Sequence, residues 1–178
     1  MSNPHLTDYN ESERTEYMMV VASMAGADGD VTTEEIYAIR ALSLHFVLGP
    51  EARGQVMASC TATPEEMEQV IKRFAESRLK FSLLLDLANM AWADGALKEP
   101  EEAEIHRLGG LMQVEPKQIK AVLSFAETLS KNPTQEQVEQ ALKSVEAAGV
   151  DRNALALSAT LYAQQSKYAA VSALFSLS

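Results

Sequence analysis

The chain carries one short string twice, first as Met24-Ala25-Gly26-Ala27-Asp28-Gly29-Asp30 and again as Met90-Ala91-Trp92-Ala93-Asp94-Gly95-Ala96. The two copies align without a gap, so that Met24 corresponds to Met90 and Leu42 to Leu108. Across residues 24–42 and 90–108, eight of nineteen positions are identical. A match at a fixed spacing indicates two copies of one supersecondary unit. The duplicated unit therefore predicts the centre of the fold.

Each copy is predicted to form a helix, an Asp-Gly turn and a second helix. Apolar residues in 17–27 recur at spacings of three and four, which is the period of an amphipathic helix. In the turn, Gly29 tolerates a positive φ, and Asp28 can bond the backbone two residues on. Thr32 and Glu35 have the spacing of a capping box, which predicts the start of the next helix.

The remaining segments also have helical signals. Thr63 followed by Pro64 is typical of a helix start, as is Thr134 three residues before Gln137. A break is predicted near residues 76–78, because thirty continuous helical residues would span ~45 Å. No run alternates with the period of two that marks a strand. The sequence therefore predicts an all-α fold in which two helix–Asp-Gly turn–helix repeats pack with a pseudo-twofold relation, followed by C-terminal helices.

The predicted domain organisation has two parts. Residues 10–131 contain both repeats and the helices that join them, and residues 132–178 form a C-terminal helical extension. The last helix is predicted to run from Asp151 almost to Ser178, with apolar residues on several faces. Such a helix must be covered, either by the body of the protein or at an interface. We therefore expect intramolecular packing, or a protein partner or homodimer through this helix.

Composition restricts the kind of protein. The 178 residues are 47% hydrophobic and carry a net charge of −10, so a folded domain is expected and nucleic-acid binding is not. Cys60 is the single cysteine, which excludes an internal disulfide. No export signal or stretch long enough to span a bilayer is visible, so a cytoplasmic protein without a membrane span is expected.

The doubled motif resembles the tellurite-resistance TerB-like family. The resemblance lies in Ala-Asp-Gly closing an apolar helix and a glutamate opening the next, once in each copy and in register. The N-terminal region of DjlA-type co-chaperones is similar. The resemblance implies a TerB-like helical bundle linked to tellurite and other stress responses, and an acidic cation site that would fall on Asp28, Glu35, Asp94 and Glu101.

The acidic turns also suggest a cation site on chemical grounds. An ordinary EF-hand is excluded, because Met24 and Gly26 occupy its first two ligand positions and Ca²⁺ needs six to eight oxygens. A site shared by both turns would supply hard oxygen ligands for Ca²⁺, Mg²⁺ or Mn²⁺, with Zn²⁺ also to be tested. Its candidate ligands are Asp28, Asp30, Glu35, Asp94 and Glu101. The alternative is structural: the aspartates bind turn amides and the glutamates close capping boxes.

Catalysis is not expected, because the chain contains no nucleophile elbow, phosphate-binding loop or cysteine–histidine signature. Two functional hypotheses follow. The first is a TerB-like accessory module of a stress response that binds a divalent cation through its acidic turns. The second is a metal-free adaptor that meets a protein partner through an acidic face.

Overall fold

The computed structural model describes residues 8–26, 30–92, 96–155 and 158. Within these ranges the fold contains eight α-helices and no β-strand, which confirms the all-α prediction. The helices are α1 Glu11–Ala25, α2 Thr33–His45, α3 Pro50–Ala58, α4 Pro64–Lys72, α5 Lys80–Ala91, α6 Glu99–Leu111, α7 Pro116–Ser130 and α8 Gln135–Ala147. Short 3₁₀ helices lie at Ser59–Thr61, Arg73–Glu76 and Arg152–Leu155. None of the helices in these ranges has the length and apolar character needed to cross a membrane.

Reciprocal hydrogen bonds fix where four of the helices begin. At α2, the amide of Thr32 donates to Glu35 Oε2 at 2.8 Å, and the amide of Glu35 donates to Thr32 Oγ1 at 3.2 Å. The predicted capping box is therefore confirmed. The same arrangement opens α1, α4 and α8, with the pairs Asn10 and Glu13, Thr63 and Glu66, and Thr134 and Gln137.

The predicted break between α4 and α5 is also confirmed. The α-helix ends at Lys72, continues as the 3₁₀ helix Arg73–Glu76, and resumes as α5 at Lys80. The amide of Ser77 donates to the carbonyl of Phe74 at 2.9 Å, which closes the tighter turn.

The chain divides into two compact units, of which the first ends at Arg73. In this unit α1 packs against α2, α3 and α4. The buried rings of Tyr17 and Phe46 stack with centroids 4.8 Å apart. Arg14 Nη1 donates to the Phe46 carbonyl at 2.7 Å, and Glu11 Oε2 accepts from the Gly49 amide at 3.1 Å. Side chains near the start of α1 therefore hold the connection between α2 and α3.

The second unit begins at Phe74 and is centred on α7, which packs against α5, α6 and α8. Its buried core is supplied mainly by leucine and valine. Ser82 Oγ donates to the Ala154 carbonyl at 2.7 Å, and Ser158 Oγ donates to the buried carboxylate of Asp86 at 2.7 Å. These two bonds attach the segment after α8 to α5.

Only the beginning of the predicted last helix is described. Asp151 Oδ1 accepts from the Asn153 amide at 2.9 Å and starts the 3₁₀ helix Arg152–Leu155. The rest of that prediction, at residues 156, 157 and 159–178, lies outside the described residues. The domain boundary at residues 131 and 132 and the pseudo-twofold relation of the repeats stay predictions.

The turns that follow α2 and α6 have the same backbone geometry. Val47 has a φ of 56°, and Gln113, which occupies the corresponding position of the second repeat, has a φ of 59°. In each turn two successive amides donate to carbonyls near the helix end. After α2, Val47 and Leu48 donate to Leu44 and Ser43 at 3.0 and 3.1 Å. After α6, Gln113 and Val114 donate to Gly110 and Gly109 at 3.0 and 2.9 Å. Pro50 and Pro116 then open the next helices. The same pair of bonds follows α8, at Gly149 and Val150, so this turn is a common helix ending and is not specific to the repeats.

Val47 has an unfavourable backbone conformation, because its φ of 56° lies in the left-handed region. A left-handed backbone costs an L-residue roughly 1–2 kcal/mol, and a β-branched side chain suits it least. We expect Val47→Gly to raise the free energy of unfolding by about 0.5–1 kcal/mol, since Val47 is 67% exposed and little burial is lost. Urea unfolding measures the change. Gln113→Gly is the control and should gain less, and a destabilised Val47→Gly would contradict the prediction.

Gly26, the residue after α1, lies against the backbone of the 3₁₀ helix Ser59–Thr61. A Cβ built on Gly26 would lie 1.6 Å from the carbonyl oxygen of Cys60. Because that neighbour is backbone, a side chain at position 26 requires the two segments to separate. This contact fixes the end of α1, where the first acidic turn begins.

Gly26→Ala should therefore destabilise the protein by about 1–3 kcal/mol, the usual cost of overpacking. Gly54→Ala provides the matched control, because a Cβ on Gly54 meets nothing within 4 Å in the exposed part of α3. That substitution should be neutral or stabilising by about 1 kcal/mol. Thermal and urea unfolding distinguish the two variants, and equal stability of both would contradict the close contact.

Candidate functional site

The predicted cation ligands are only partly described. Asp28 and Asp94, the aspartates of the two Asp-Gly turns, lie outside the described residues. Asp30 is exposed and precedes α2. Glu35 and Glu101 are half-buried in the first turns of α2 and α6. The structure therefore places two of the five candidate carboxylates at corresponding positions of the two repeats.

Glu35 has a structural role at the start of α2. Its Oε2 accepts the Thr32 amide at 2.8 Å, so the carboxylate is held at the end of the first acidic turn. Among the described residues, no donor is found for its second oxygen, Oε1. A carboxylate with one oxygen fixed and the other available retains the capacity to bind a cation.

Glu101 is held in a similar way at the start of α6. Its Oε2 accepts the Lys98 amide at 3.0 Å. The N-cap is a lysine, which has no side-chain oxygen to return the bond, so only this half of the box forms. Glu99 and Glu102 accompany Glu101 in the first helical turn, where negative charge suits the positive end of the helix dipole.

Cys60 lies close to the first acidic turn, which the sequence did not indicate. Its backbone contacts Gly26, and its thiol is buried. Burial raises the pKa of the Cys60 thiol, and the negative charge of Glu35 raises it further. The thiol is therefore protonated at neutral pH and is a poor nucleophile. The sequence offers one indirect signal: position 26 is glycine where the corresponding position 92 is tryptophan. This difference is typical of a close neighbour beside Gly26, but it does not identify Cys60 as that neighbour.

Trp92 flanks the second acidic turn. It follows the last residue of α5, and its Nε1 is buried without a hydrogen-bond acceptor among the described residues. Because it is the only tryptophan in the chain, its fluorescence reports on this turn alone.

No group of three histidine, cysteine, aspartate or glutamate side chains that could hold a metal occurs in the described part of the chain. Asp28 and Asp94 do not belong to that part, so the shared cation site stays a prediction. The first unit brings together Gly26, Glu35 and Cys60, and the second places Trp92 and Glu101 on either side of the other turn.

The raised pKa of Cys60 predicts slow thiol chemistry. At pH 8 the folded protein should react with a disulfide reagent at least ~tenfold more slowly than the unfolded chain. Glu35→Gln should accelerate the reaction, because removing the carboxylate charge lowers the pKa of the thiol. As the pH rises through 9.0, the ordinary pKa of a cysteine thiol, Cys60 loses its proton in the unfolded chain before it does so in the folded protein. The free energy of unfolding should therefore fall over this pH range. Cys60→Ala should lack this loss, and equal rates in folded and unfolded protein would contradict the argument.

Most of the chain matches a known protein family. The family model described as tellurite resistance protein TerB matches residues 14–124, which include both acidic turns and the helices α2 to α6. Neither the curated proteins nor the solved structures gave a match. The similarity to DjlA-type co-chaperones therefore stays a resemblance.

Proposed function

Because the chain belongs to the tellurite-resistance TerB family, we propose that it is a non-enzymatic accessory module of a cytoplasmic stress response that binds a divalent cation at its acidic turns. The family match supports the link to tellurite resistance. The cation, the stress response and the location in the cytoplasm are parts of the proposal.

The observation that carries the proposal is the placement of Glu35 and Glu101. Each has one carboxylate oxygen on the amide that ends an acidic turn, at 2.8 Å and 3.0 Å. The carboxylate is thus oriented before any cation arrives, which lowers the entropy cost of binding. Asp28, Asp30 and Asp94 would supply further oxygens.

The donor chemistry suits hard cations. Carboxylate oxygens favour Mg²⁺, Ca²⁺ and Mn²⁺ over softer metals, and neither turn carries the histidine or thiolate ligands that Zn²⁺ prefers. Ca²⁺ needs six to eight oxygens, more than one turn offers. At either turn, water would therefore complete the coordination shell.

The second candidate is a metal-free adaptor whose acidic face meets a protein partner. The observation in its favour is that Glu35 and Glu101 already act as helix caps, which accounts for their repetition without a ligand. The net charge of −10 would attract a basic partner.

Isothermal titration with Mg²⁺, Ca²⁺, Mn²⁺ and Zn²⁺ distinguishes the two candidates. We expect binding by the wild type and at least a ~tenfold loss of affinity in the double variant Asp28→Asn, Asp94→Asn. Glu35→Gln and Glu101→Gln should weaken binding as well, because each removes a charge. A change in Trp92 fluorescence on titration locates the cation at the second turn.

The chain itself supplies the control for folding. Gln137 and Gln118 already accept the amides of Thr134 and Glu115, at 2.9 and 3.1 Å, so a glutamine performs the capping role. Glu35→Gln should therefore leave the melting temperature nearly unchanged, whereas Glu35→Ala should lower stability by about 1 kcal/mol. An absence of binding heat for all four cations, with unchanged melting after chelation, would reject the cation and favour the adaptor.

A further inference from the structure

We infer that the outer face of α2 is a self-association surface at which two copies of this chain pair. The face is a stripe formed by Tyr37, Arg40, Ala41, Leu44 and Val47, all exposed. Tyr37, Leu44 and Val47 are the exposed large apolar side chains of the described residues, at 65%, 59% and 67% exposure. They lie along one side of α2 and its C-terminal turn at helical spacing. The inference goes beyond the proposed cation function and does not depend on it.

The second repeat provides an internal comparison. At the positions that correspond to the stripe, α6 and its turn carry Ala103, His106, Arg107, Gly110 and Gln113. Four of these residues are exposed, and none has a large apolar side chain. The fold therefore does not require apolar residues on this face, so those of α2 need another explanation.

Val47 strengthens this contrast. Its backbone has a φ of 56°, in the left-handed region that β-branched residues disfavour. Its side chain is 67% exposed, so burial in the monomer does not compensate for this conformation. Gln113 occupies the same turn after α6 with a φ of 59°. A residue that is unfavourable for the isolated fold is expected where a contact with another molecule compensates.

The pattern of the stripe suits a second copy as the occupant. Tyr37, Ala41 and Leu44 alternate large, small and large at spacings of four and three. In an antiparallel pair centred near Ala41, Tyr37 of each helix lies opposite Leu44 of the other and the two small Ala41 residues meet where the helices cross, so one surface complements itself. Such an isologous contact closes as a dimer.

The charge of this face is compatible with pairing of two acidic copies. The stripe contains no carboxylate, and Arg40 makes no ion pair with a described residue, in a chain whose net charge is −10. Repulsion between two copies is therefore smaller where these stripes meet than on a face that carries carboxylates, with the two Arg40 side chains as the only like charges. The stripe has five residues, fewer than the about 20 that a standard interface contributes per side, so a weak, reversible dimer is expected.

Sedimentation equilibrium of the full chain, from about 5 µM to about 500 µM, tests the inference. The wild type should dimerise reversibly, and more strongly at high salt, because salt screens the repulsion of two acidic chains. Tyr37→Lys and Leu44→Lys should each weaken the dimer at least ~tenfold. Ala103→Lys and Gly110→Lys are the matched controls and should leave it unchanged, since a Cβ on Gly110 meets nothing within 4 Å.

Val47→Gly separates association from folding. It should weaken the dimer while the monomer melts at a higher temperature, an outcome that unfolding cannot produce. In a Cys60→Ala background, Ala41→Cys should give a disulfide-linked dimer on mild oxidation, and Arg107→Cys should not. A chain that stays monomeric throughout overturns the inference. A dimer insensitive to Tyr37→Lys and Leu44→Lys also overturns it and points to residues 151–178.

Discussion

The hydrogen bond between an N-cap amide and the side chain three residues later marks the start of six of the eight described α-helices. In α2 the amide of Thr32 is taken by Glu35, and in α6 the amide of Lys98 is taken by Glu101. A helix start leaves backbone amides without partners, and a side chain that binds one of them fixes the first helical residue. The length of each acidic turn follows from that position. Both the fold and the candidate site thus depend on the same two carboxylates.

This double use creates a tension between structure and function. A carboxylate that caps a helix is held in place, which helps it to meet a cation. The same hydrogen bond also explains the presence of the carboxylate when no cation binds. Glutamine replaces glutamate at two other helix starts, in Gln118 and Gln137, so capping alone does not require the charge. Glutamate also closes the capping boxes of α1 and α4, through Glu13 and Glu66, so the charge at Glu35 and Glu101 does not by itself distinguish a cation ligand from a cap.

Local features of the fold could be predicted from the sequence, whereas long-range contacts could not. The pairs Thr32 with Glu35 and Thr63 with Glu66 lie three residues apart, so one short window contains the whole signal. The contact of Gly26 with Cys60, and the bond from Ser158 to Asp86, join residues far apart in the chain. No local pattern encodes such pairs. At the candidate site, the residue types and their repetition could be predicted, but the position of Cys60 beside the first turn could not.

The two repeats have diverged most clearly at their outer faces and just before their turns. The solvent-facing side of α2 is apolar where that of α6 is polar or small. Gly26 precedes the first turn, and Trp92, with a buried indole N–H, precedes the second. Equal backbone geometry after α2 and α6 therefore coexists with different chemistry at corresponding positions.

The contact at Gly26 has a consequence for which amino acids this position accepts. Because the carbonyl of Cys60 occupies the space of a Cβ, every other amino acid at position 26 is expected to destabilise the fold, whatever the ligand or partner. Position 92 carries no such restriction, as its tryptophan demonstrates. Packing thus restricts position 26 to glycine, whereas the corresponding position 92 accommodates the largest side chain.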